Sequence, residues 1–280
     1  RQLLEIRRRG SSLEFVESDH PPPKTALFGI RPCDLAAMEV QDRVLADGAH
    51  PDPHYVQARE ATLVIVANCG VPAETCFCTS TRTGPRARSG FDLSVTEVID
   101  GSDHYFVLEA GSETGRGIVD RLGPRPAERA EINAALAATE SAAESMTRSL
   151  PDQLNGRLLA AAGHTRWDDV ASRCLSCGNC TMVCPTCFCS TMEDMTDLSG
   201  ETAHRVQVWD SCFSLDHSYI HGGSVRSDTR SRYRQWLTHK LDTWWDQFGR
   251  SGCVGCGRCI TWCPPGIDLT VEAAEIVGGD

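Results

Sequence analysis

Two stretches of this chain follow one spacing rule. Cys174-x-x-Cys177-x-x-Cys180-x-x-x-Cys184-Pro185 is matched position for position by Cys253-x-x-Cys256-x-x-Cys259-x-x-x-Cys263-Pro264. Gly178 and Gly257 hold equal places in the two runs. Each iron of a cubane needs one ligand from the protein, and a thiolate suits it. Cysteines at i, i+3 and i+6 on a tight loop can aim three sulfurs at three corners of one cube. The fourth, beside a proline, points away and serves the other cluster. The spacing therefore predicts cluster A on Cys174, Cys177, Cys180 and Cys263, and cluster B on Cys184, Cys253, Cys256 and Cys259. Crossing ligands in this way brings the two [4Fe–4S] clusters close together, as electron hopping needs. The glycines let the backbone approach the sulfides and offer amide hydrogen bonds, which help set the reduction potential.

Two other uses of cysteine compete with this reading. Structural zinc takes four ligands, commonly as C-x2-C pairs, and a triplet spacing followed by Cys-Pro, made twice, fits it poorly. Disulfide frameworks belong to small secreted domains, whereas this chain has 280 residues, 41% of them hydrophobic, and an odd count of 15 cysteines. No signal segment opens the chain, and its longest apolar runs, such as 61–67, are far short of a membrane span. A reducing, cytoplasmic setting is expected. The chain starts on Arg1 rather than Met, which leaves room for a missing N-terminal piece. A net charge of −11 argues against nucleic acid as a partner, since no basic surplus is present to neutralise phosphates.

Seven cysteines remain. Cys33, Cys69, Cys76 and Cys78 fall in or beside loops at the ends of expected strands, and Cys76 and Cys78 lie in an unusually long loop. Four thiols suffice for a third [4Fe–4S] cluster, while packing as small apolar residues is the competing reading. Cys187, Cys189 and Cys212 follow the first run and stay unassigned between a further metal, shared ligation and core packing. Of the nine histidines, only His217 and His221, four apart near Cys212, stand out as possible ligands. Trp236, Trp244 and Trp245 recur at roughly helical spacing and read as core or interface. Arg226, Arg230, Arg232, Arg234, Lys240 and Arg250 outnumber three aspartates over 226–250. That excess would offset negative clusters, or form a solvated or docking face.

The expected fold class is α+β. Residues 25–30 and 62–67 read as buried strands, with a helix over 34–46 opened by Pro32 and Asp34. Residues 68–90 read as a long loop, and 94–99 with 104–109 as a hairpin around 100–103. A helical stretch at about 126–149 ends an N-terminal α/β-type domain, 1–145. Residues 146–280 form a mostly helical dicluster domain, with helices at 151–163, 166–173 and 230–248. A small echo links Thr75-Cys76-Phe77-Cys78 to Thr186-Cys187-Phe188-Cys189. There is no G-x-G-x-x-G fingerprint or Walker A loop, and no nucleophile elbow. The chain is expected to lack a nicotinamide or flavin site of its own and to relay electrons to a subunit that has one.

Phe28-Gly29-Ile30-Arg31-Pro32-Cys33-Asp34-Leu35, Asn68-Cys69, Thr75 to Cys78, Arg173 to Cys189, Trp209-Asp210-Ser211-Cys212 and Gly252 to Pro264 occur in that order. Together they resemble the beta subunit of cytosolic NADP-linked [NiFe] hydrogenases, or sulfhydrogenases. The related electron-transfer subunit of anaerobic sulfite reductase shares the pattern, which spans about 25–270. The resemblance implies a heterotetramer. Its members would be large (nickel–iron) and small (cluster-bearing) hydrogenase subunits, a flavin subunit exchanging hydride with NADP(H), and this iron–sulfur subunit, linked to sulfur or polysulfide reduction. It also implies an α-helical ferredoxin-like C-terminal part. The sulfite reductase counterpart, and a polysulfide reductase acting at its own open cluster, are the alternatives.

Overall fold

The computed structural model describes residues 1–17, 21–101 and 103–278. The first half is organised by a four-stranded sheet of β3 (Thr25–Ile30), β4 (Thr62–Ala67), β5 (Leu93–Asp100) and β6 (Asp103–Ala110), in the order β3-β4-β5-β6. β3, β4 and β5 are parallel and β6 returns antiparallel to β5. Apolar, β-branched runs such as Thr62-Leu-Val-Ile-Val-Ala67 suit a sheet covered by helices. Ser102, in the turn of the expected hairpin, lies outside the described residues.

β3 leads into α1 (Pro32–Leu45), and α2 (Pro53–Glu60) precedes β4. Pro32 at the first helical position and Asp34 at the third start α1, and the Asp34 carboxylate accepts the Arg31 amide at 3.0 Å. α1 serves two cores. Leu35 packs with Val64, Val66 and Phe91 against the sheet. Ala36, Ala37 and Val40 pack with Trp244 and Val254, from the second half of the chain.

The largest core belongs to that second half. Trp167, Val170, Tyr233, Trp236, Leu237, Leu241, Ile260, Leu269 and Ile276 bury together, with Cys174, Cys180, Cys212, Cys259 and Cys263 packed against them. Helix Arg166–Arg173 is held to helix Leu269–Gly278 by Glu272, whose side chain is 3% exposed and meets Arg166 Nε at 2.6 Å and Arg173 Nη2 at 2.9 Å. Helix Thr229–Thr238 runs on through a π-helical turn, His239–Thr243, into Trp244–Phe248.

Several elements differ from the sequence reading. The expected helix over 151–163 is a single turn, Arg157–Ala160; the helical stretch expected at about 126–149 is Arg129–Glu144, and an unexpected helix, Glu113–Leu122, precedes it. The second half also carries an unexpected hairpin, β7 (Ser190–Thr196) and β8 (Thr202–Trp209). The chain's first residues, read as part of the N-terminal half, form β1 (Gln2–Arg9) and β2 (Ser12–Glu17) and join that hairpin as a sheet ordered β2-β1-β8-β7. β7, Ser-Thr-Met-Glu-Asp-Met-Thr, is almost wholly exposed, so no buried apolar face announces it.

Candidate metal centre

The two cysteine runs fold alike. In each, the glycine after the second cysteine has a left-handed backbone (Gly178 φ +75°, Gly257 φ +71°) and opens one helical turn, Asn179–Met182 or Arg258–Thr261. The residue before the second cysteine is also left-handed: Ser176 at φ +51° and Gly255 at φ +63°. This coiling turns successive cysteines to one side. Equivalent amides point at equivalent sulfurs, Ser176 N to Cys174 Sγ and Gly255 N to Cys253 Sγ, both at 3.4 Å.

The fourth cysteine of each run leaves its own loop. Cys263 lines a narrow apolar cavity with Cys174, Cys177 and Cys180, walled by Phe213, Tyr233 and Trp236. Cys184 faces Cys253, Cys256 and Cys259. Burial pushes the Cys180 and Cys253 thiols up to about 12, so these sulfurs carry charge only when a metal takes the proton's place. Two donors beside the first cavity lack a partner among the described residues: Tyr233 Oη and Trp236 Nε1, on side chains 3% and 5% exposed. Buried donors are nearly always satisfied, and an iron–sulfur cluster would offer them sulfur acceptors.

The N-terminal thiols also come together. Parallel β3 and β4 put their carboxyl ends at one edge of the sheet, the usual ligand edge of such sheets, and Cys33 and Cys69 follow those ends directly. The loop after Cys69 brings back Cys76 and Cys78, and all four line one cavity of about 310 Å³ with Arg31, Gly255, Cys256 and Arg258. This cavity abuts the second run. The Phe77 amide donates to Gly255 O at 2.9 Å, Thr83 Oγ1 donates to Val254 O at 2.7 Å, and Cys76 Sγ lies 3.8 Å from Cys256 O. Arg258 Nη1 pairs with Asp34 Oδ1 at 2.6 Å, tying the start of α1 to the same loop.

The remaining thiols fall beside Cys184 and beside one another. Cys187 adjoins Cys184, and Cys189 adjoins Cys212. Cys189 and Cys212 flank the two feet of the β7–β8 hairpin, where Asp210 N donates to Cys189 O at 3.0 Å. His217 Nδ1 pairs with Asp210 at 3.1 Å, whereas His221 sits in a turn. All fifteen cysteines are free thiols. Among the described residues no three Cys, His, Asp or Glu side chains close on a single point as one metal ion requires. Cys263 with the first run's triplet, and the four N-terminal thiols, instead each line a cavity, as a cubane with one thiolate per iron requires.

Lys240 is the site residue that the sequence revealed least. It reads there as one cation in a basic stretch. In the fold it is 6% exposed, with Nζ 3.3 Å from Cys184 Sγ and 2.9 Å from Thr186 Oγ1. Burial pulls its pKa down, but the neighbouring sulfurs, Cys184 first among them, outweigh that and hold it above the ordinary lysine value. In turn Cys187 and Lys240 hold the Cys184 thiol low against its burial. Arg232, also buried, donates to the carbonyls of Arg226 and Ser227 and to Ser176 Oγ, steadying the first run.

Paired cysteine loops that cross their fourth thiols and aim amides at sulfur define a dicluster iron–sulfur protein. A family model for the 4Fe-4S dicluster domain matches residues 173–267. The chain is 32% identical over 262 residues to the sulfhydrogenase 2 subunit beta of Pyrococcus furiosus, covering 91% of this chain and 75% of that one. It belongs to the family of sulfhydrogenase beta subunits. No solved structure matches it. Among the described residues no helix is long and apolar enough to cross a membrane.

Proposed function

We propose that the chain holds three [4Fe–4S] clusters and works as an electron-transfer subunit of a cytoplasmic hydrogenase complex. Cluster A takes Cys174, Cys177, Cys180 and Cys263. Cluster B takes Cys184, Cys253, Cys256 and Cys259. The third takes Cys33, Cys69, Cys76 and Cys78. Each cluster, when bound, supplies a one-electron store. The chain's own residues hold the three side by side: the crossed cysteines join A to B, and the contact of Phe77 and Cys76 with the 255–256 backbone joins B to the third.

The observation that carries this reading is the convergence of all four N-terminal thiols on one cavity against Cys256. Core packing alone would not line up four cysteines from three separate segments around a shared space. The partners are large (nickel–iron) and small (cluster-bearing) hydrogenase subunits, with a flavin subunit that exchanges hydride with NADP(H). Sulfur or polysulfide is a further acceptor. The relative's printed name, a sulfhydrogenase beta subunit, supports a hydrogenase complex of several subunits. Iron and sulfide analysis of anaerobically purified complex tests the cluster number. About twelve irons assigned to this chain support three cubanes, on one iron per thiolate ligand. About eight sink the third.

A further inference from the structure

The two proposed cysteine-run clusters are near copies of each other in sequence, yet the fold treats their crossing ligands differently. Cys263 Sγ receives the neutral amide of Ile267 at 3.3 Å. Cys184 Sγ receives an ammonium, Lys240 Nζ, at 3.3 Å, and stands 3.1 Å from the hydroxyl of Thr186. That hydroxyl accepts from Lys240 at 2.9 Å, which leaves its own proton for Cys184. Lys240 and Thr186 are 6% and 2% exposed. No carboxylate pairs with Lys240 among the described residues, so its polar partners are one sulfur and one hydroxyl.

A buried ammonium without a carboxylate is costly unless something else carries the opposite charge. The π-helical turn His239–Thr243 holds it in place, and such turns tend to mark functional positions. The same turn sends Asp242 elsewhere, to accept the amides of Gly156 at 2.6 Å and Leu159 at 2.7 Å. The fold therefore keeps its buried acid away from its buried base and leaves the base to the sulfur.

We propose that Lys240 is a positioning residue that raises the reduction potential of the cluster held by Cys184 above that of its twin, with Thr186 assisting. This rests on the ligand set given above for cluster B. A cation hydrogen-bonded to a ligand sulfur favours the more negative, reduced cluster, and hydrogen bonds to the sulfurs and local charge are recognised settings of potential. The step is the gain of one electron by the cluster from a partner subunit's donor. Lys240 keeps its proton throughout.

The test is a paramagnetic-resonance redox titration of the full complex carrying Lys240→Met, Lys240→Arg or Thr186→Val, with iron counted in each. Lys240→Met is expected to retain its iron and to lower one midpoint by at least tenfold in the reduction equilibrium, about 59 mV for one electron. Lys240→Arg restores most of that shift. Thr186→Val lowers the same midpoint by less. The signal that moves is the one lost in Cys256→Ser, not the one lost in Cys177→Ser. Unchanged midpoints with clusters retained overturn the proposal, and so does a shift confined to the other signal. If Lys240→Met sheds iron, unchanged midpoints in both Lys240→Arg and Thr186→Val overturn it. A wild-type complex in which this chain shows no cubane signal defeats the cluster assignment itself, a separate result.

Discussion

Gly255 and Cys78 touch through their backbones. A Cβ added at Gly255 would lie 2.6 Å from Cys78 Cα, and the left-handed φ of +63° would strain any side chain there. Gly257 meets the carbonyl of Thr75 in the same way. Overpacking of this kind costs about 1–3 kcal/mol, and a left-handed non-glycine adds roughly 1–2 kcal/mol. Gly255→Ala is expected to push the 75–78 loop off the second cysteine run. Thermal melting should show the loss of stability, and iron analysis the loss of about four irons, one cubane's worth. Full iron content with an unchanged melting temperature would contradict the contact.

Crossed ligation makes a pairing prediction. Cys263→Ser and Cys177→Ser should abolish the same paramagnetic signal, although the two residues lie in different runs. Cys184→Ser and Cys256→Ser should abolish the other. If Cys263→Ser instead silences the signal lost in Cys256→Ser, each run keeps its own four thiols and the crossing is wrong.

Tyr233 offers a contrast between packing and ligand contact. If its buried hydroxyl truly lacked a partner, Tyr233→Phe would be neutral or would stabilise the fold by about 1–3 kcal/mol, the desolvation cost of an unsatisfied group. A hydroxyl that donates to cluster A gives another result. Tyr233→Phe then lowers the midpoint of the signal lost in Cys177→Ser and leaves the other midpoint in place. Redox titration beside a melting curve separates the two.

Glu272 binds two helices through two arginines, and its side chain is 3% exposed. Removing Glu272 takes the buried carboxylate from this network, while both arginines keep Asp169 as a partner, so the loss should fall below the roughly 3–5 kcal/mol of a fully buried pair. Glu272→Ala should lower the melting temperature well beyond the effect of Arg205→Ala, whose partner Asp194 is exposed and whose pair is worth about 0–1 kcal/mol. Equal melting temperatures for the two variants would refute the ranking.

Removing iron should unfold the second half. Its thiols are packed against the main core, and burial holds those of Cys180 and Cys253 protonated up to about pH 12. Without metal the Cys180 and Cys253 thiols revert to neutral groups and nothing bridges the two runs. A chelator under reducing conditions should therefore reduce helical circular dichroism and expose Trp167 and Trp236 to a fluorescence quencher. Retention of both signals in the iron-free chain would show a core independent of the clusters.

Much of this site was legible because its spacing is short-range. The interval between Cys174 and Cys180 is a property of one loop, so the triplets could be read without a fold. The strands β3 and β4 were legible too, but not their parallel pairing, and β3, which reads as buried, is mostly exposed. Lys240 was not legible. Nothing adjacent to it distinguishes it from Arg230 or Arg234, and its burial follows from a π-helical turn that side-chain periodicity does not reveal. The β7–β8 hairpin escaped because Glu193, Asp194 and Met195 face water and no core demands their alternation. The contact of Gly255 with Cys78 joins residues 177 apart in number, so no local pattern could report it.

The pairing of β1 with β8 sets an order of events during synthesis. The backbone nitrogen of Arg1 donates to the carbonyl of Gln207 at 2.7 Å, across 206 positions. β1 is made long before β8 and must wait, paired only with β2, until the β8 strand emerges. By then Cys174, Cys177 and Cys180 have been made, but Cys263 has not. Late closure of such distant pairings slows folding and leaves strand edges open to wrong partners. A nascent chain of this kind exposes a half-built thiol cage and an unmatched strand together, the interval in which a chaperone or an iron donor would find both.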